Sequence, residues 1–584
     1  MRGRLFVILG VSLSLMNCTK KSQVPENAIT YPLRINLSSL DPAQSSNEAT
    51  NEVSLNIYET LLQYHYLKRP LQVEPSLAAV MPEVSKDGLT HTFKIKKGVR
   101  FHDSSVFPDG KGREVKAQDF IYSWKRLADP KTKSEGWWIF DNRIKGLNEW
   151  REKLIKGEAD YSTPVEGLQA PDDHTLVVQL KKPFYQLHYI LTMAYTAVVP
   201  REAVEKYGPE FMNNPVGTGP FVFENWVRGN KVTLNRNPNW HGGTYPTEGE
   251  PGDKEAGLLE DAGKPLPFVD KLVFLEIIED QPRWLNLMKG TVDFAGIPKD
   301  NFDSAVKGKD LSPELTKKGM RLIIYPWPDV VYMGFNMEDP ILGKNVNLRR
   351  ALSLAYDSAT ANEKFYNNRV IVAHSPIAPD MDGYDPGFKN PYKEYNIEKA
   401  KEYLKKAGYP GGKGLPPIEY SVPSSTTSRQ MAEYLAQQFE KIGVKLNIVT
   451  NSWPQFQDRL RNKKSQMFGI AWGADYPDAE NMLQLLYGPN ASPGSNSSNF
   501  KNKEFDALYE EAARTPPGPK RTELYKKMRD IFVQEMPWIP TVHRLGYMTV
   551  HGWMKNLKPH EIIDGFYKYV RVDTAEKARL KEKL

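Results

Sequence analysis

The chain has 584 residues, 40% of them hydrophobic, and a formal net charge of only +7. This length exceeds that of one ordinary domain, so we expect two or three lobes. Acidic and basic residues are interspersed throughout, whereas a nucleic-acid-binding face needs clustered basic residues, so no nucleic-acid partner is expected. The single Cys excludes internal disulfides, thiolate zinc sites and iron–sulfur clusters.

The first residues have the features of a bacterial secretion signal. Two arginines precede an apolar run over 5–16, which is too short to span a bilayer. Leu15-Met16-Asn17-Cys18 resembles a lipobox, although small residues usually occupy the two positions before the Cys. The alternative is a plain secreted chain with a spare Cys in its leader. We predict a signal peptide over 1–17, lipidation of Cys18 and a polar tether over 18–30.

The mature chain begins with short strand and helix patterns. Alternating apolar and polar residues over 33–38 predict an edge or half-buried strand. Apolar residues at four-residue spacing over 53–61 predict a helix that closes at 59–62. Strands and loops then alternate over about 75–182, with a helix candidate over 119–127. We interpret this segment as a small α+β domain inserted into the first lobe.

Residues 183–325 resume a strand-rich pattern. The turn Asn213–Phe221 contains a Gly-x-Gly sequence, but Val222 stands where a dinucleotide-binding fingerprint needs its third glycine. No cofactor is therefore expected. The segment 244–264 is rich in Gly, Pro, Glu and Asp and predicts a surface excursion.

A second lobe with a clear α/β rhythm begins after residue 328. Asn396 and Gly408 stand where one of its helices needs an N-cap and a C-terminal stop. A strand, a helix and another strand follow, which implies a parallel pair with a right-handed crossover. These three elements are predicted over 418–422, 431–442 and 444–448.

The stretch Ala471–Asp478 follows a short apolar run, 467–471, that predicts a buried strand. Asp475 would emerge at the C-terminal end of this strand, which is where ligands bind in open α/β sheets. A Trp three residues earlier and a Tyr directly after it could cover a bound cation from water. We hypothesise that Asp475 holds a ligand ammonium group. The alternative is that Asp475 merely caps a turn or a helix start.

The sequence contains no pattern typical of catalysis. No His pairs with another His or an acid at metal-ligand helical spacing, and there is no Walker loop and no Gly-x-Ser-x-Gly elbow. The acid pairs Asp475 with Asp478 and Asp380 with Asp382 could serve acid–base chemistry, but each lies in a turn-rich segment where Asp is expected for backbone reasons. We therefore predict no catalytic residue, no metal site and no cofactor.

A series of short motifs, each weak alone, resembles one family when taken in order. The chain is similar to the family 5 extracellular solute-binding proteins of ABC importers, the oligopeptide- and dipeptide-binding group. The motifs are Leu40-Asp41-Pro42, Glu59-Thr60-Leu61, Phe101-His102-Asp103, Ala117–Arg126, Val216–Phe221, Gly334-Phe335-Asn336, Leu348–Leu352, Ala407-Gly408-Tyr409, Trp472–Tyr476 and Pro537–Pro540.

The resemblance implies an α/β fold, a two-lobed clamp like that of periplasmic binding proteins, with an extra inserted α+β domain. The first lobe would be discontinuous, and the ligand would be enclosed when the lobes close about a hinge. The implied division is 31–60, 183–325 and 545–573 for the first lobe, 61–182 for the inserted domain, 326–544 for the second lobe and 574–584 for a charged tail.

The resemblance also implies the binding residues. In peptide-binding members the Asp of a Trp-x-Ala-Asp motif pairs with the peptide α-ammonium, and here that residue is Asp475. The backbone at Trp472 and Gly473 would pair with the peptide main chain like an added strand. The opposite wall would come from Ala49, Thr50 and Asn51. The full expected set is Asp475, Trp472, Gly473, Ala474, Tyr476, Ala49, Thr50 and Asn51.

The implied function is capture of oligopeptides and their delivery to an ABC permease and ATPase complex. The protein would be a periplasmic monomer held to a cell membrane by its lipid. Other solutes remain open, including a nickel chelate, haem, an opine-like compound or a cell-wall peptide, as does a periplasmic hydrolase.

One departure from the family pattern concerns the peptide carboxylate. Some oligopeptide binders have an Arg three residues before the motif Trp, where this chain has Gly469. The cation that receives the carboxylate is therefore open. The candidates are Arg349, Arg350, Arg429, Arg459 and Lys463.

Overall fold

The computed structural model describes residues 27–45, 47–560 and 562–584. The predicted signal peptide, Cys18 and the first part of the tether lie outside the described residues. The strands in chain order are β1 (Ala28–Leu33), β2 (Leu62–Tyr64), β3 (Val73–Pro75), β4 (Glu83–Val84), β5 (Thr90–Lys94), β6 (Leu168–Asp172), β7 (Thr175–Gln179), β8 (Phe221–Val227), β9 (Lys231–Arg236), β10 (Lys271–Glu276), β11 (Phe294–Gly296), β12 (Val306–Lys307), β13 (Asp310–Leu311), β14 (Met320–Pro326), β15 (Asp329–Phe335), β16 (Val370–Val372), β17 (Ile418–Pro423), β18 (Leu446–Asn451), β19 (Met467–Gly473), β20 (Trp538–His551), β21 (Met554–Lys555) and β22 (Arg571–Val572).

The α-helices are distributed along the whole described chain. In chain order they are α1 (Glu48–Ile57), α2 (Ala117–Ala128), α3 (Leu147–Lys156), α4 (Leu187–Ile190), α5 (Arg201–Tyr207), α6 (Asp280–Met288), α7 (Lys299–Ala305), α8 (Pro313–Lys317), α9 (Val346–Ala355), α10 (Ser358–Tyr366), α11 (Ile397–Lys406), α12 (Thr426–Glu440), α13 (Trp453–Arg461), α14 (Ala479–Leu483), α15 (Lys503–Arg514), α16 (Pro519–Glu535) and α17 (Thr574–Lys581).

Three larger sheets organise these elements. A four-stranded sheet has the order β1-β10-β9-β8, and another has the order β4-β5-β7-β6. The third sheet has eight strands, six of them in the order β11-β20-β15-β19-β17-β18, with β14 and β16 also paired to β20. The mixed α/β class predicted from the sequence is confirmed.

The 14-residue strand β20 connects the two halves of the molecule. Its first part pairs with β15, and its second part, Leu545–His551, pairs with β14. The hydrophobic cores also divide near this place. One core takes its residues from Ile29 to Tyr325 and Met548 to Leu580, with Tyr476 added, and a separate core lies within Trp284 to Met320. Two further cores lie within Val330 to Ile539. The short Trp327-Pro328 link between β14 and β15 therefore runs beside β20 from one half to the other.

Several elements in the second half follow the sequence prediction closely. Asn396 caps α11 by accepting a hydrogen bond from the Lys399 backbone N–H, and Gly408 follows the helix with a φ of +91°. Strands β17 and β18 are parallel neighbours joined through α12, as predicted. The predicted crossover strand pair is therefore confirmed.

The N-terminal strand prediction was displaced by several residues. Strand β1 ends at Leu33, where the predicted strand begins, and Ile35 is 41% exposed. β1 is fixed instead by parallel pairing with β10, so residues 28–30 belong to a strand and not to a tether. Helix α1 likewise ends at Ile57, short of the predicted 59–62.

Two segments predicted to be peripheral are anchored to the fold. Within 244–264, Tyr245 is fully buried and Asp261 accepts a hydrogen bond from Arg571 Nε at 2.6 Å, so the prediction of a surface excursion was wrong for this part. The charged tail 574–584 forms α17 over most of its length, and its Lys577 Nζ lies 2.9 Å from Asp293 Oδ1.

The Gly-x-Gly sequence of the 213–221 turn has a packing role. A Cβ on Gly217 would lie 2.1 Å from the Ile57 carbonyl oxygen, and one on Gly219 would lie 2.7 Å from the same atom. Glycine is therefore required because the turn presses against the C-terminal end of α1.

Candidate functional site

The motif around Asp475 begins where β19 ends. β19 runs antiparallel to β15 over its whole length, and the Ala474 backbone N–H donates to the Pro328 carbonyl at 2.8 Å. The chain then leaves the sheet beside the Trp327-Pro328 link. Asp475 thus lies just beyond the C-terminal end of the strand, as the sequence predicted.

One side of β19 is open along this stretch. β17 pairs with β19 only at Met467 and Phe468, and no strand of the described residues pairs with Gly469–Gly473 on that side. Ala471 and Gly473 are exposed. An extended ligand can therefore add its backbone to this edge.

A single buried amide, Asn481 on α14, holds the motif. Its Oδ1 accepts hydrogen bonds from Trp472 Nε1 and from the Asp475 backbone N–H, both at 3.1 Å. Its Nδ2 donates to Asp475 Oδ2 at 2.9 Å. Asn481 therefore fixes the orientation of both the ring and the carboxylate, and it lies outside the residues predicted from the sequence.

The capping role goes to Asp478 and not to Asp475. Asp478 is the N-cap of α14, and its Oδ1 accepts from the Glu480 backbone N–H at 3.0 Å. It is only 1% exposed, and it accepts hydrogen bonds from Arg521 Nη2 and Tyr525 Oη, both at 2.6 Å. The alternative that Asp475 caps a helix start was wrong, because the cap lies three residues later.

The Asp475 carboxylate has no positively charged partner among the described residues. Burial raises its pKa from an ordinary value of 3.8 to about 6, although the hydrogen bond from Asn481 acts in the opposite direction. No basic side chain among the described residues forms an ion pair with it. A cationic group arriving from a ligand would stabilise the charged form.

Asp475 faces a cavity of about 430 Å³ that lies between the two halves of the molecule. Helix α1 contributes one wall, the end of β19 contributes another, and the β14–β15 link and β20 form the floor between them. The lining residues are Glu48, Asn51, Leu55, Thr192, Met193, Ala194, Tyr195, Trp327, Pro328, Asp329, Gly473, Ala474, Asp475, Arg544, Ile562 and Asp564.

The structure brings together some of the predicted site residues and separates others. Asn51, Gly473, Ala474 and Asp475 line this one cavity, so both expected walls contribute. Ala49 and Thr50 are buried on the inner face of α1 and do not line it.

The two motif aromatic residues have different surroundings. Trp472 is half-buried and is held by Asn481. Tyr476 is 1% exposed and stacks on Tyr189, with ring centroids 6.0 Å apart and 5° between the planes. The expectation that both rings cover a cation at Asp475 fails for Tyr476, whose ring is buried in the core that includes Ile29 to Tyr325.

None of the five candidate cations from the sequence lines the cavity. Arg349 is buried and donates to backbone carbonyls, among them Leu342 at 2.7 Å, while Arg459 pairs with Glu419 and Lys463 with Glu338. The basic residue of the lining is Arg544, which pairs with Asp329 and lies over the Trp327 ring at 4.4 Å. Arg544 lies four residues after the Pro537–Pro540 motif, and this motif was the sequence feature that could have drawn attention to it.

The described residues contain no group of three or more His, Cys, Asp or Glu side chains arranged to hold a metal ion. Within the same part of the chain, no helix is both long and apolar enough to cross a membrane.

The fold and the cavity define the class of structure, a mixed α/β protein with a cavity between two walls. The structure is similar to that of the periplasmic binding protein DppA from Helicobacter pylori in complex with peptide STSA. The TM-score is 0.72 and the sequence identity 24%, and the match covers 94% of this chain and 98% of that one. At this identity the similarity shows the fold.

The family is shown by the sequence itself. Residues 72–494 match the family described as bacterial extracellular solute-binding proteins, family 5, and the chain belongs to this family. It is 28% identical to Heme-binding protein A of Haemophilus influenzae, over 85% of this chain and 83% of the relative. It is 26% identical to the Dipeptide-binding protein of Escherichia coli, over 94% and 95% of the two chains.

Proposed function

We propose that this protein captures oligopeptides outside the cytoplasm by their α-ammonium group and main chain, and delivers them to an ABC permease and ATPase complex. The protein would itself carry out no chemical step, and it would act as a monomer held to a membrane by a lipid on Cys18. The single observation that carries the proposal is the Asp475 carboxylate, which faces the cavity and has no cationic partner among the described residues.

The open edge of β19 supports recognition of a peptide main chain. Backbone hydrogen bonds to Gly469–Gly473 would be the same for any peptide sequence, and the ammonium pair would set the position of its first residue. The relatives named for dipeptide binding and the DppA complex with STSA agree with this ligand class.

Gly469 bears on where the carboxylate of a bound peptide could be received. A Cβ at this position would lie 2.4 Å from the Tyr420 hydroxyl, so the Arg that some oligopeptide binders carry there cannot be accommodated unless Tyr420 moves. A peptide carboxylate would therefore have to be received elsewhere, and Arg544 is the basic residue of the cavity lining.

The test is Asp475→Asn, measured by calorimetry with a short peptide. Loss of an enclosed charge-assisted pair costs roughly 2–5 kcal/mol. We therefore expect peptide affinity to fall by about thirtyfold to a few thousandfold. Exposed Asp300→Asn on α7 is the matched control and should bind as the wild type does.

The same variant separates a binding role from a structural one. Because the folded-state pKa of Asp475 is raised from 3.8 to about 6, the carboxylate opposes folding as the pH rises through that window. At pH 7 the Asn variant should therefore unfold at no lower temperature than the wild type. Unchanged peptide affinity would overturn the ammonium assignment.

A non-peptide solute is the alternative, since one relative is named for haem binding. Native mass spectrometry of the purified protein identifies retained cargo by mass. Haem binding of equal strength in wild type and Asp475→Asn would favour that alternative, and peptide turnover by the purified protein would favour a hydrolase.

A further inference from the structure

The cavity has a charge opposite to that of the whole chain. The chain has a net charge of +7, yet four acidic residues line the cavity and Arg544 is the basic residue among them. The charge of Arg544 is already matched, because its guanidinium pairs with Asp329, whose Oδ1 also accepts from the Arg544 backbone N–H at 2.8 Å.

Two carboxylates on different walls have no basic partner among the described residues. Asp475 lies at the end of β19, and Glu48 occupies the first turn of α1 on the other wall. Asn51, one helical turn after Glu48, lines the same cavity, so this face of α1 points toward the ligand. Asp564 adds a third acidic side chain, which has contacts of its own.

We propose that this site selects peptides with two positive charges, the α-ammonium at Asp475 and a Lys or Arg side chain near the N-terminus that meets Glu48. This inference rests on the proposed function and adds the side-chain preference to it. A ligand that fills the cavity contacts both walls, so a basic side chain would neutralise the carboxylate that the ammonium leaves unmatched, whereas an acidic side chain would meet like charge.

A helical role for Glu48 is the competing explanation. An acidic residue in the first turn of a helix interacts favourably with the helix dipole, whether or not a ligand binds. That role predicts a lower unfolding temperature for Glu48→Gln and no change in the choice between peptides.

The experiment compares three tripeptides that differ only at the second residue, which is lysine, norleucine or glutamate. Norleucine keeps the apolar stem of lysine and lacks its charge. By calorimetry the wild type should bind the lysine peptide about tenfold more tightly than the norleucine peptide, and the glutamate peptide least well. In Glu48→Gln the lysine-to-norleucine ratio should fall toward one, and Glu48→Asp should restore it.

The outcomes distinguish a failure of the proposed side-chain preference from a failure of the proposed peptide-binding function. Equal affinities for the lysine and norleucine peptides, with binding still dependent on Asp475, would overturn the side-chain preference alone. A lysine preference that survives in Glu48→Gln would overturn the assignment to Glu48. Failure of all three peptides to bind would overturn the proposed function itself.

Discussion

Asp475 and Asp478 are three residues apart, yet their surroundings differ completely. Asp478 is buried and accepts hydrogen bonds from Arg521, Tyr525 and the Glu480 backbone N–H, and Gln186 Nε2 also approaches it at 3.5 Å. Asp475 accepts a side-chain hydrogen bond only from Asn481 among the described residues, and it faces a cavity. A carboxylate whose bonds are all made within the protein supports the fold, whereas one with an unmatched charge at a cavity is available to a ligand.

The largest effect should come from Asp478→Asn, and it should be on stability. Removing one partner of a buried ion pair typically costs about 3–5 kcal/mol, because the other charge stays buried without compensation. Here Arg521 is 3% exposed and its Nε and Nη1 already lack hydrogen-bond partners, so the variant would leave a buried guanidinium without its paired charge. Urea unfolding followed by circular dichroism measures the loss.

Asp475→Asn, at the same pH, is the control for this prediction and should show no loss of stability. If Asp478→Asn were as stable as the wild type, Asp478 would not stabilise the fold, and the proposed difference between the two carboxylates would be wrong.

A smaller effect is expected for Asn481→Ala, which removes three hydrogen bonds from the motif. Leaving such partners unsatisfied costs about 1–3 kcal/mol, so peptide affinity should fall by about tenfold, less than for Asp475→Asn. Asn481 acts through Asp475 and is a positioning residue.

A second measurement distinguishes positioning from general damage. The Asn481 hydrogen bond lowers the pKa of Asp475, so its removal should raise that pKa further and move the pH midpoint of peptide binding upward. A variant that bound weakly with an unchanged midpoint would show that Asn481 merely supports the fold.

The elements that the sequence predicted well are those with local signals. The Asn396 cap, the β17–α12–β18 unit and the strand that precedes Asp475 follow from periodicity and capping residues within a few positions. The strand at 33–38 failed because its alternation was weaker than the register imposed by β10, a partner more than two hundred residues away.

The site was also predictable only in part, because some of its residues have local sequence signals and others are brought in by distant segments. Asp475 was found through a contiguous motif, and Asn51 through the family resemblance. Arg544 reaches the cavity from a distant segment, and Glu48 directly precedes the predicted wall at 49–51. Asn481 comes close because α14 folds back on the motif. Tyr476 was placed wrongly because its ring is buried and stacks on Tyr189, a residue nearly three hundred positions earlier in the chain.

The smallest effect distinguishes the two carboxylates without any mutation, through the pH dependence of peptide binding. The raised pKa of about 6 means that Asp475 begins to bind a proton just below neutral pH, and the protonated form cannot pair with an ammonium group. Peptide α-amino groups titrate near pH 8, so they stay charged in this range. Affinity should therefore be highest near pH 7 and fall by up to about tenfold per pH unit below 6.

The contributions of other ionisable groups near the cavity have to be separated from that of Asp475. Glu48, Asp564 and the Arg544–Asp329 pair line the same cavity, and burial raises the pKa of Glu480, the residue beside Asn481, to about 7. Glu480→Gln should keep the fall in affinity below pH 6, whereas Asp475→Asn should abolish it. Calorimetry near pH 6 in buffers of different ionisation enthalpy should also show proton release on binding, because the ammonium favours the charged form of Asp475. Binding without proton release, and with the same pH profile in Asp475→Asn, would place the ammonium elsewhere in the cavity.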